Sequence, residues 1–303
     1  MINDTIFKNE SASDYLTHPE TFVIVNCVLN AILMLITILG NSLVIVAVLK
    51  TPSIRSPSIT LFCGLAVSDL LVGLVVQPLY IVKELKVRDL LLKFIWYFTT
   101  YCSCGVSLCT VTFITLDRFA ALHYHLRYVT MVTTTRVVYT LVIAWLIIFL
   151  SFGIFFLDKS VNFLIASVFI VICLSISSVC YIRIFHIVKR HQKQIKTQHQ
   201  IVQSSNDANN LNMMRLKKSS MNTFVFYIVL ILCYFPMFVL MILYGKKKSL
   251  THEQWTPELS FSGTAVFVNS SINPLLYCWR LTELRAAIFK ITRKILCRQT
   301  DQE

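Results

Sequence analysis

One carboxylate, Asp69, stands in the middle of a long apolar run. A charged side chain at membrane depth costs about 2.5–3.5 kcal/mol on insertion scales, so such a residue usually serves a function. Polar side chains occur at corresponding depth in other apolar runs, and these are Asn41, Ser107, Asn269, Ser270 and Asn273. Their oxygen atoms could hold a small hydrated cation. They could equally form an uncharged hydrogen-bond network that only joins helices.

Two other features could change shape or charge pairing. Pro236 and Pro274 lie inside apolar runs, where proline kinks a helix because it removes a backbone hydrogen bond. Such kinks act as hinges or are simply structural. Asp117 and Arg118 stand together at the end of another run. Arg118 is a snorkelling anchor, or it is held by Asp117 in one state and released in another.

The elements that position these residues follow from composition. Of the 303 residues, 14% are charged and 56% are hydrophobic, and the mean hydropathy is +0.68. A soluble domain has about 25% charged residues, so composition excludes disorder and disfavours a soluble domain. Apolar stretches of about 18 residues or more predict membrane-spanning helices. The sequence therefore predicts an all-α membrane protein with a seven-transmembrane helix bundle, with spans near 22–49, 58–82, 91–122, 135–157, 161–188, 220–244 and 255–278.

The basic residues predict the orientation of this bundle. Nineteen Lys and Arg residues fall on one side of the predicted membrane and nine on the other. Basic loops stay in the cytoplasm, so the N-terminus is predicted outside and the C-terminus inside, at the plasma membrane. The net charge of +13 is thereby explained by topology, and nucleic acid is not expected as a partner.

The segments outside the spans carry candidate modification sites. Asn3 and Asn9 begin Asn-x-Ser/Thr tripeptides in the outer tail, where they predict glycosylation, and no cleavable signal peptide is expected. Cys297 follows a basic amphipathic segment and is a candidate for palmitoylation. The predicted organisation is an outer tail at 1–21, a bundle at 22–279 with a cytoplasmic loop at about 189–219, an amphipathic helix on the inner leaflet at 280–297, and a short cytoplasmic tail at 298–303.

Six short motifs, in order along the chain, resemble those of the rhodopsin-like (class A) G-protein-coupled receptors. They are Gly40-Asn41, Leu65-Ala66 with Asp69, Asp117-Arg118-Phe119, Trp145, Cys233-Tyr234-Phe235-Pro236, and Asn273-Pro274-Leu275-Leu276-Tyr277. The resemblance runs from about residue 22 to 297. It implies a receptor without enzymatic activity, whose partners are a heterotrimeric G protein, an extracellular ligand, the lipid bilayer, and arrestin and a receptor kinase. It implies no cofactor beyond an allosteric sodium ion.

The resemblance also assigns roles by position. A sodium pocket would consist of Asp69, Ser107, Asn269 and Asn273. Arg118, next to Asp117, would engage the G protein once the sixth helix swings out about Pro236. The other residues assigned to coupling and switching are Leu126, which would fill a pocket on the G protein, the toggle residue Tyr234, the hinge Pro274, and Tyr181 and Tyr277, which would swing inward.

The outer cavity would be apolar and aromatic, which suits a hydrophobic ligand. A rim of lysines around it would attract an anionic lipid or peptide, or is merely solvated. Thr100 occupies the position of the aspartate of amine receptors, and Phe267 that of the retinal lysine of opsins, so neither ligand is expected. The lining residues implied by position are Gln77, Tyr80, Thr100, Tyr101, Cys104, Tyr234, Met237, Phe238, Met241 and Phe267.

Some positions depart from the family pattern. Lys93 stands where the family has the cysteine of an outer disulfide. Leu216 stands where an acidic partner of Arg118 is usual, which predicts appreciable basal activity. The combination looks most like the melanocortin, lysophospholipid and cannabinoid receptors. Another class of function, an ion-coupled transporter or channel using Asp69, would show inverted repeats, and a membrane enzyme would show a catalytic motif. The sequence contains neither feature.

Overall fold

The computed structural model describes residues 20–85, 89–124, 127–156, 159–201, 225, 227–240, 242–243, 257–280 and 282–300. Their regular structure is helical, and these residues include no strand. A one-turn helix, Tyr128–Met131, stands between the third and fourth of the main helices. The main helices are α1 (Glu20–Lys50), α2 (Pro57–Glu84), α3 (Leu90–Tyr124), α4 (Thr134–Phe152), α5 (Lys159–Ile201), α6 (Tyr227–Leu240), α7 (Pro257–Arg280) and α8 (Thr282–Thr300).

The helices α1 to α7 form the predicted bundle, and we name its inner and outer ends after the predicted orientation. The first five are long and apolar enough to cross a membrane, and α6 is a shorter apolar helix. A helix suits lipid because its backbone groups bond within the segment. Large apolar side chains point outward, including Leu39, Ile147 and Leu150, the last with 77% of its surface exposed. Such exposure is stable where hydrocarbon surrounds the bundle.

Side-chain caps set where α2 and α4 begin. The Ser56 hydroxyl accepts a hydrogen bond from the Ile59 N–H at 3.3 Å, and Pro57 takes the first helical position. Thr133 accepts likewise from the Arg136 N–H at 3.4 Å. These bonds satisfy N–H groups that have no partner within the helix. Both helices therefore start at a fixed residue on the same side of the bundle.

Helix α5 is longer than its apolar run. It spans 43 residues, of which Leu164–Arg190 are long and apolar enough to cross a membrane. The helix therefore continues to Ile201, into the segment that the sequence assigns to the cytoplasmic loop. Polar residues such as Gln and Lys have good helix propensity, so a helix can extend beyond the lipid without an apolar face.

A π-helical turn, Val72–Val76, interrupts α2 between Asp69 and the outer end. Pro78 lacks an N–H, so the usual bond to the preceding turn cannot form. The Gln77 N–H instead bonds to the Val72 carbonyl. The extra residue in this turn rotates the outer part of α2, and Gln77, Tyr80 and Glu84 become its buried side chains. Turns of this kind often occur at functional sites.

Helices α1 and α7 pack closely. A Cβ atom on Gly40 would lie 2.8 Å from the ring of Pro274, so only glycine fits there. The Asn41 amide donates to the Ser270 carbonyl at 3.2 Å, and the hydroxyls of Thr37 and Ser271 are 2.7 Å apart. These contacts hold Ser270 and Ser271 of α7 against α1.

Helix α8 docks on the inner end of the bundle. Leu284 and Ile291 belong to the main apolar core, which also includes Tyr277 of α7. The side chains of Arg285 and Lys290 on the other face are exposed. The helix is thus amphipathic, as the spacing of its apolar residues predicts. Its contact with the inner leaflet stays a prediction.

Candidate functional site

The carboxylate of Asp69 is fully buried where α2, α3 and α7 meet. Its Oδ1 accepts hydrogen bonds from the Ser270 hydroxyl at 2.8 Å and from the Ser107 hydroxyl at 3.3 Å. Its Oδ2 accepts one from the Asn273 amide at 2.8 Å. Three neutral donors therefore surround the carboxylate.

The predicted sodium-pocket residues come together only in part. Ser107 and Asn273 contact Asp69 directly, whereas the Asn269 amide nitrogen is buried and has no hydrogen-bond partner. Ser270, which the family pattern did not assign to the pocket, makes one of the shortest bonds instead. A buried carboxylate is costly unless a cation or proton accompanies it. The carboxylate, hydroxyl and amide oxygens of these residues are ligands of the kind that a hard cation such as sodium prefers.

At the inner end of α3, Asp117 binds two hydroxyl groups. Ser58 donates to its Oδ2 and Tyr128 to its Oδ1, each at 2.6 Å. Burial raises the pKa of Tyr128, and its hydrogen bond to Asp117 adds to the shift, so the phenol keeps its proton at neutral pH. The third neighbour, the Arg118 Nε, is 3.8 Å from Oδ2, a weaker contact than either hydroxyl makes.

An aromatic ring connects the guanidinium of Arg118 to a residue of α7. The guanidinium lies 5.9 Å from the centroid of Phe62, within the range of a cation–π contact. The Phe62 ring meets that of Tyr277 edge to face at 5.0 Å. Arg118 and Tyr277, two residues of the predicted switch, are thus joined by Phe62, a residue that no motif in the sequence identifies.

Tyr181, another residue of the predicted switch, lies between α3 and α6. Its hydroxyl lies 3.3 Å from that of Thr115, and its ring is 4.7 Å from that of Tyr227. Tyr227 also makes a short hydrogen bond with Ser178, one turn before Tyr181. Two contacts therefore tie α6 to α5 near their inner ends. Helical spacing places Ser178 beside Tyr181, but nothing in the sequence identifies Tyr227 as the partner.

The predicted cavity residues that the structure describes lie in the outer half of the bundle. Gln77 is fully buried and neither atom of its amide has a hydrogen-bond partner, and the same holds for the buried hydroxyl of Thr100. Tyr234 donates to the Cys104 carbonyl at 3.2 Å, linking α6 to α3. Tyr101 instead bonds Ser151 of α4 at 3.0 Å. Met237 and Phe238 pack partly buried against the main core.

Tyr80 belongs to a polar network between α1, α2 and α7. Its hydroxyl accepts a hydrogen bond from the Asn26 amide at 2.7 Å and donates to the Ser260 carbonyl at 2.8 Å. The Ser260 hydroxyl donates to the carboxylate of Glu84 at 2.9 Å. Phe267 packs edge to face on the Tyr80 ring at 5.3 Å. Asn26, Glu84 and Ser260 were not among the predicted site residues, since each lies within a few residues of the end of a predicted span.

Several predicted residues lie outside the part of the chain that the structure describes. Asn3, Asn9, Leu126 and Met241 lie outside the described residues. Cys297 lies in α8, but its side chain is outside them too. Glycosylation, palmitoylation and the role of Leu126 therefore stay predictions. Pro236 and Pro274 lie within α6 and α7, as expected.

The chain matches the family described as 7 transmembrane receptor (rhodopsin family), over residues 40–163 and 156–277. These matches cover most of the bundle, and the chain therefore belongs to the rhodopsin family of seven-transmembrane receptors. Members of this family are signalling receptors without enzymatic activity, so the prediction of a non-enzymatic, multi-pass membrane protein is confirmed.

Similar proteins are receptors of the same family. Trace amine-associated receptor 4 of Mus musculus is 27% identical over an alignment that covers 80% of this chain and 78% of that protein. Trace amine-associated receptor 13c of Danio rerio is 26% identical over 86% of this chain and 83% of that protein. The human histamine H2 receptor is 35% identical over 48% of this chain and 41% of that protein. The melanocortin, lysophospholipid and cannabinoid subgroup is not confirmed.

Proposed function

We propose that this receptor binds an extracellular ligand in the outer half of its bundle and activates a heterotrimeric G protein. The observation that carries the proposal is the position of Arg118 at the inner end of α3. Its contact with Asp117 is long, and Ser58 and Tyr128 already bind the carboxylate. A guanidinium held this weakly is available to an incoming protein, and Arg suits recognition of backbone and side-chain oxygens.

The switch itself is an outward swing of α6 about Pro236. The closed arrangement is held by Tyr227 against Ser178 and Tyr181. Breaking these contacts lets the inner end of α6 move and opens a cleft beside Arg118. Tyr277, which Phe62 joins to Arg118, then has room to turn inward with Tyr181. A ligand favours this state only by binding it more tightly than the closed one.

Asp69 couples the two halves of the bundle. Sodium held by Asp69, Ser107 and Asn273, with Ser270, would cross-link α2, α3 and α7 in the closed state. The ion supplies a positive charge that offsets the buried carboxylate. Its loss would let α7 move relative to α3. The alternative, ion transport through Asp69, would gain support from a second buried carboxylate beside it, and the residues that the structure describes place none there.

Two ligand classes remain for the outer cavity. The apolar and aromatic lining, with basic residues around it, favours an acidic lipid or peptide. The names of the similar receptors favour an amine instead. Thr100 supplies no carboxylate for an amine at the usual position, so an amine would need another acidic partner. The plasma membrane, with the N-terminus outside, is the proposed location, and arrestin and a receptor kinase are proposed further partners.

A panel of G-protein activation sensors in cells tests this function. Wild type and Arg118→Ala are compared at matched surface level, without ligand and with panels of acidic lipids, acidic peptides and amines. We expect a signal in at least one sensor that Arg118→Ala abolishes. Arg293→Ala, which removes an exposed arginine of α8, is the matched control and should retain the signal. Flux of sodium that depends on Asp69 but not on any G protein would instead support a transporter.

A further inference from the structure

The protein holds one of its own cations on an aromatic surface in the outer half. The ammonium nitrogen of Lys83 lies 3.9 Å from the centroid of the Trp96 ring and 5.8 Å from that of Tyr97. This nitrogen is buried. An ammonium group within about 6 Å of a ring face is attracted by the negative charge there. Lys83 is one of the rim lysines, which the sequence predicts either to attract an anionic ligand or to be merely solvated, and it is instead folded inward.

A buried carboxylate completes the surroundings of this ammonium. Glu84, the next residue of α2, retains 5% of its exposed surface. Its carboxylate accepts a hydrogen bond from the Ser260 hydroxyl at 2.9 Å, and the Ser260 carbonyl binds Tyr80. The two rings meet edge to face at 4.8 Å, and Tyr80 stands 6.2 Å from Trp96. Two aromatic faces and a carboxylate are the groups that recognise alkylammonium ions.

We propose that Trp96, Tyr97 and Glu84 form a binding site for the ammonium group of an amine ligand, which Lys83 fills in the ligand-free receptor. The inference deepens the proposed receptor function by naming a ligand class and its acidic partner. Trp96 lies one helical turn from Thr100, so recognition of the amine moves outward along α3. The carboxylate comes from α2 instead of α3.

Lys83 then acts as a tethered competitor. Its four-carbon stem is flexible, and its ammonium can leave the rings for the outer surface. A tethered group competes at an effective concentration of about millimolar or more. An amine ligand must exceed that competition before it occupies the site. Replacing the ammonium by an uncharged group of similar length removes the competitor and leaves the site intact.

Thermal stabilisation of the purified, full-length receptor by 2-phenylethylamine tests this. Lys83→Met should lower the half-saturating amine concentration by about tenfold or more, as expected for removal of a tethered competitor. Adding Trp96→Leu or Glu84→Gln to Lys83→Met should reverse that gain. Lys93→Met is the matched control, since it removes a lysine of α3 and leaves Lys83 in place, and should change the concentration by less than about threefold. The uncharged match, 2-phenylethanol, should stabilise no variant in this manner.

Two results would overturn the inference. Equal stabilisation by the amine and the alcohol in Lys83→Met would show that no ammonium site exists. Stabilisation of wild type by phenylacetate that Lys83→Met abolishes would make Lys83 an anchor for anions. Lys83→Gln serves the same purpose if Lys83→Met does not fold. The readout needs no G protein, so an inactive receptor that still binds amines would contradict only the proposed function, and an active receptor without amine binding only this inference.

Discussion

At the scale of single residues, the carboxylate of Asp117 divides its bonding among three neighbours. Ser58 and Tyr128 bind it at 2.6 Å, while Arg118 approaches only to 3.8 Å. Each hydroxyl that binds Asp117 weakens its hold on Arg118. The two hydroxyl groups therefore help to keep Arg118 available to the G protein, because they occupy the carboxylate that would otherwise bind it.

Tyr128→Phe should lower the basal activity of the receptor. Without the phenol, Oδ1 of Asp117 is free to pair with Arg118. A hydrogen bond to a charged group contributes about 1.5–3 kcal/mol, and a shift of about 1.4 kcal/mol changes the ratio of states tenfold. Basal activation of the G protein, measured at matched surface level, should therefore fall about tenfold or more. Tyr124→Phe, at an exposed tyrosine of α3, should leave it unchanged. Higher activity in Tyr128→Phe would contradict the argument.

Sodium should lower the basal activity through Asp69. Replacing sodium chloride by choline chloride should raise basal activation of the wild type, because the closed state loses its cation. Asp69→Asn should respond to neither salt. Ser270→Ala should respond less than wild type, since the Ser270 hydroxyl binds Oδ1 at 2.8 Å. Ser271→Ala is the control, because Ser271 faces Thr37 instead. An unchanged response in Asp69→Asn would remove the sodium site.

At the scale of elements, α6 depends on a few side chains for its closed position. The hydrogen bond between Tyr227 and Ser178 and the ring contact with Tyr181 join it to α5. Tyr227→Phe removes the bond and keeps the ring. A net loss of about 0.5–1.5 kcal/mol should raise basal activation about two- to tenfold. Tyr139→Phe, at an outward-facing tyrosine of α4, should have no effect. A lower basal signal in Tyr227→Phe would show that the bond belongs to the open state.

The outer ends of α3 and α4 are joined by aromatic rings. Phe98 meets Phe152 edge to face at 5.1 Å and lies 5.9 Å from Phe149, and Phe94 lies 6.0 Å from Phe152. Lys93 occupies the position where the family places its disulfide cysteine. The rings therefore hold this end of α3 against α4.

Phe98→Ala should destabilise the purified receptor by about 2–4 kcal/mol, because it removes a large apolar side chain and leaves a cavity. The loss is measured as a lower midpoint of thermal unfolding. Leu91→Ala, on the same helix with 66% of its surface exposed, should cause a much smaller loss. A reducing agent should leave the wild-type midpoint unchanged. A large effect of the reducing agent with a small effect of Phe98→Ala would contradict this account.

At the scale of the whole molecule, hydropathy predicts the bundle well because each helix must be apolar along its own length. The polar pocket is predicted less completely. Depth in the apolar runs identified Asp69, Ser107, Ser270 and Asn273, but only the structure shows that Ser270, and not Asn269, binds Asp69.

The outer half escaped prediction for a physical reason. The π-helical turn at Val72–Val76 changes the rotation of everything that follows it in α2. A projection with uniform helical spacing cannot show that Lys83 turns toward Trp96 or that Glu84 is buried. The length of α5 escaped for another reason, since the residues beyond Arg190 are polar and hydropathy cannot distinguish a solvated helix from a loop.

We expect α6 to move away from the bundle when the G protein engages Arg118. Spin labels on unnatural amino acids at positions 136 and 228, which avoid the ten native cysteines, report the distance between α4 and α6. In wild type, nucleotide-free G protein should shift the distribution of distances toward longer values. In Arg118→Ala the distribution should not respond to the G protein. A G protein that exchanges nucleotide on the wild-type receptor without any change in this distance would contradict the account.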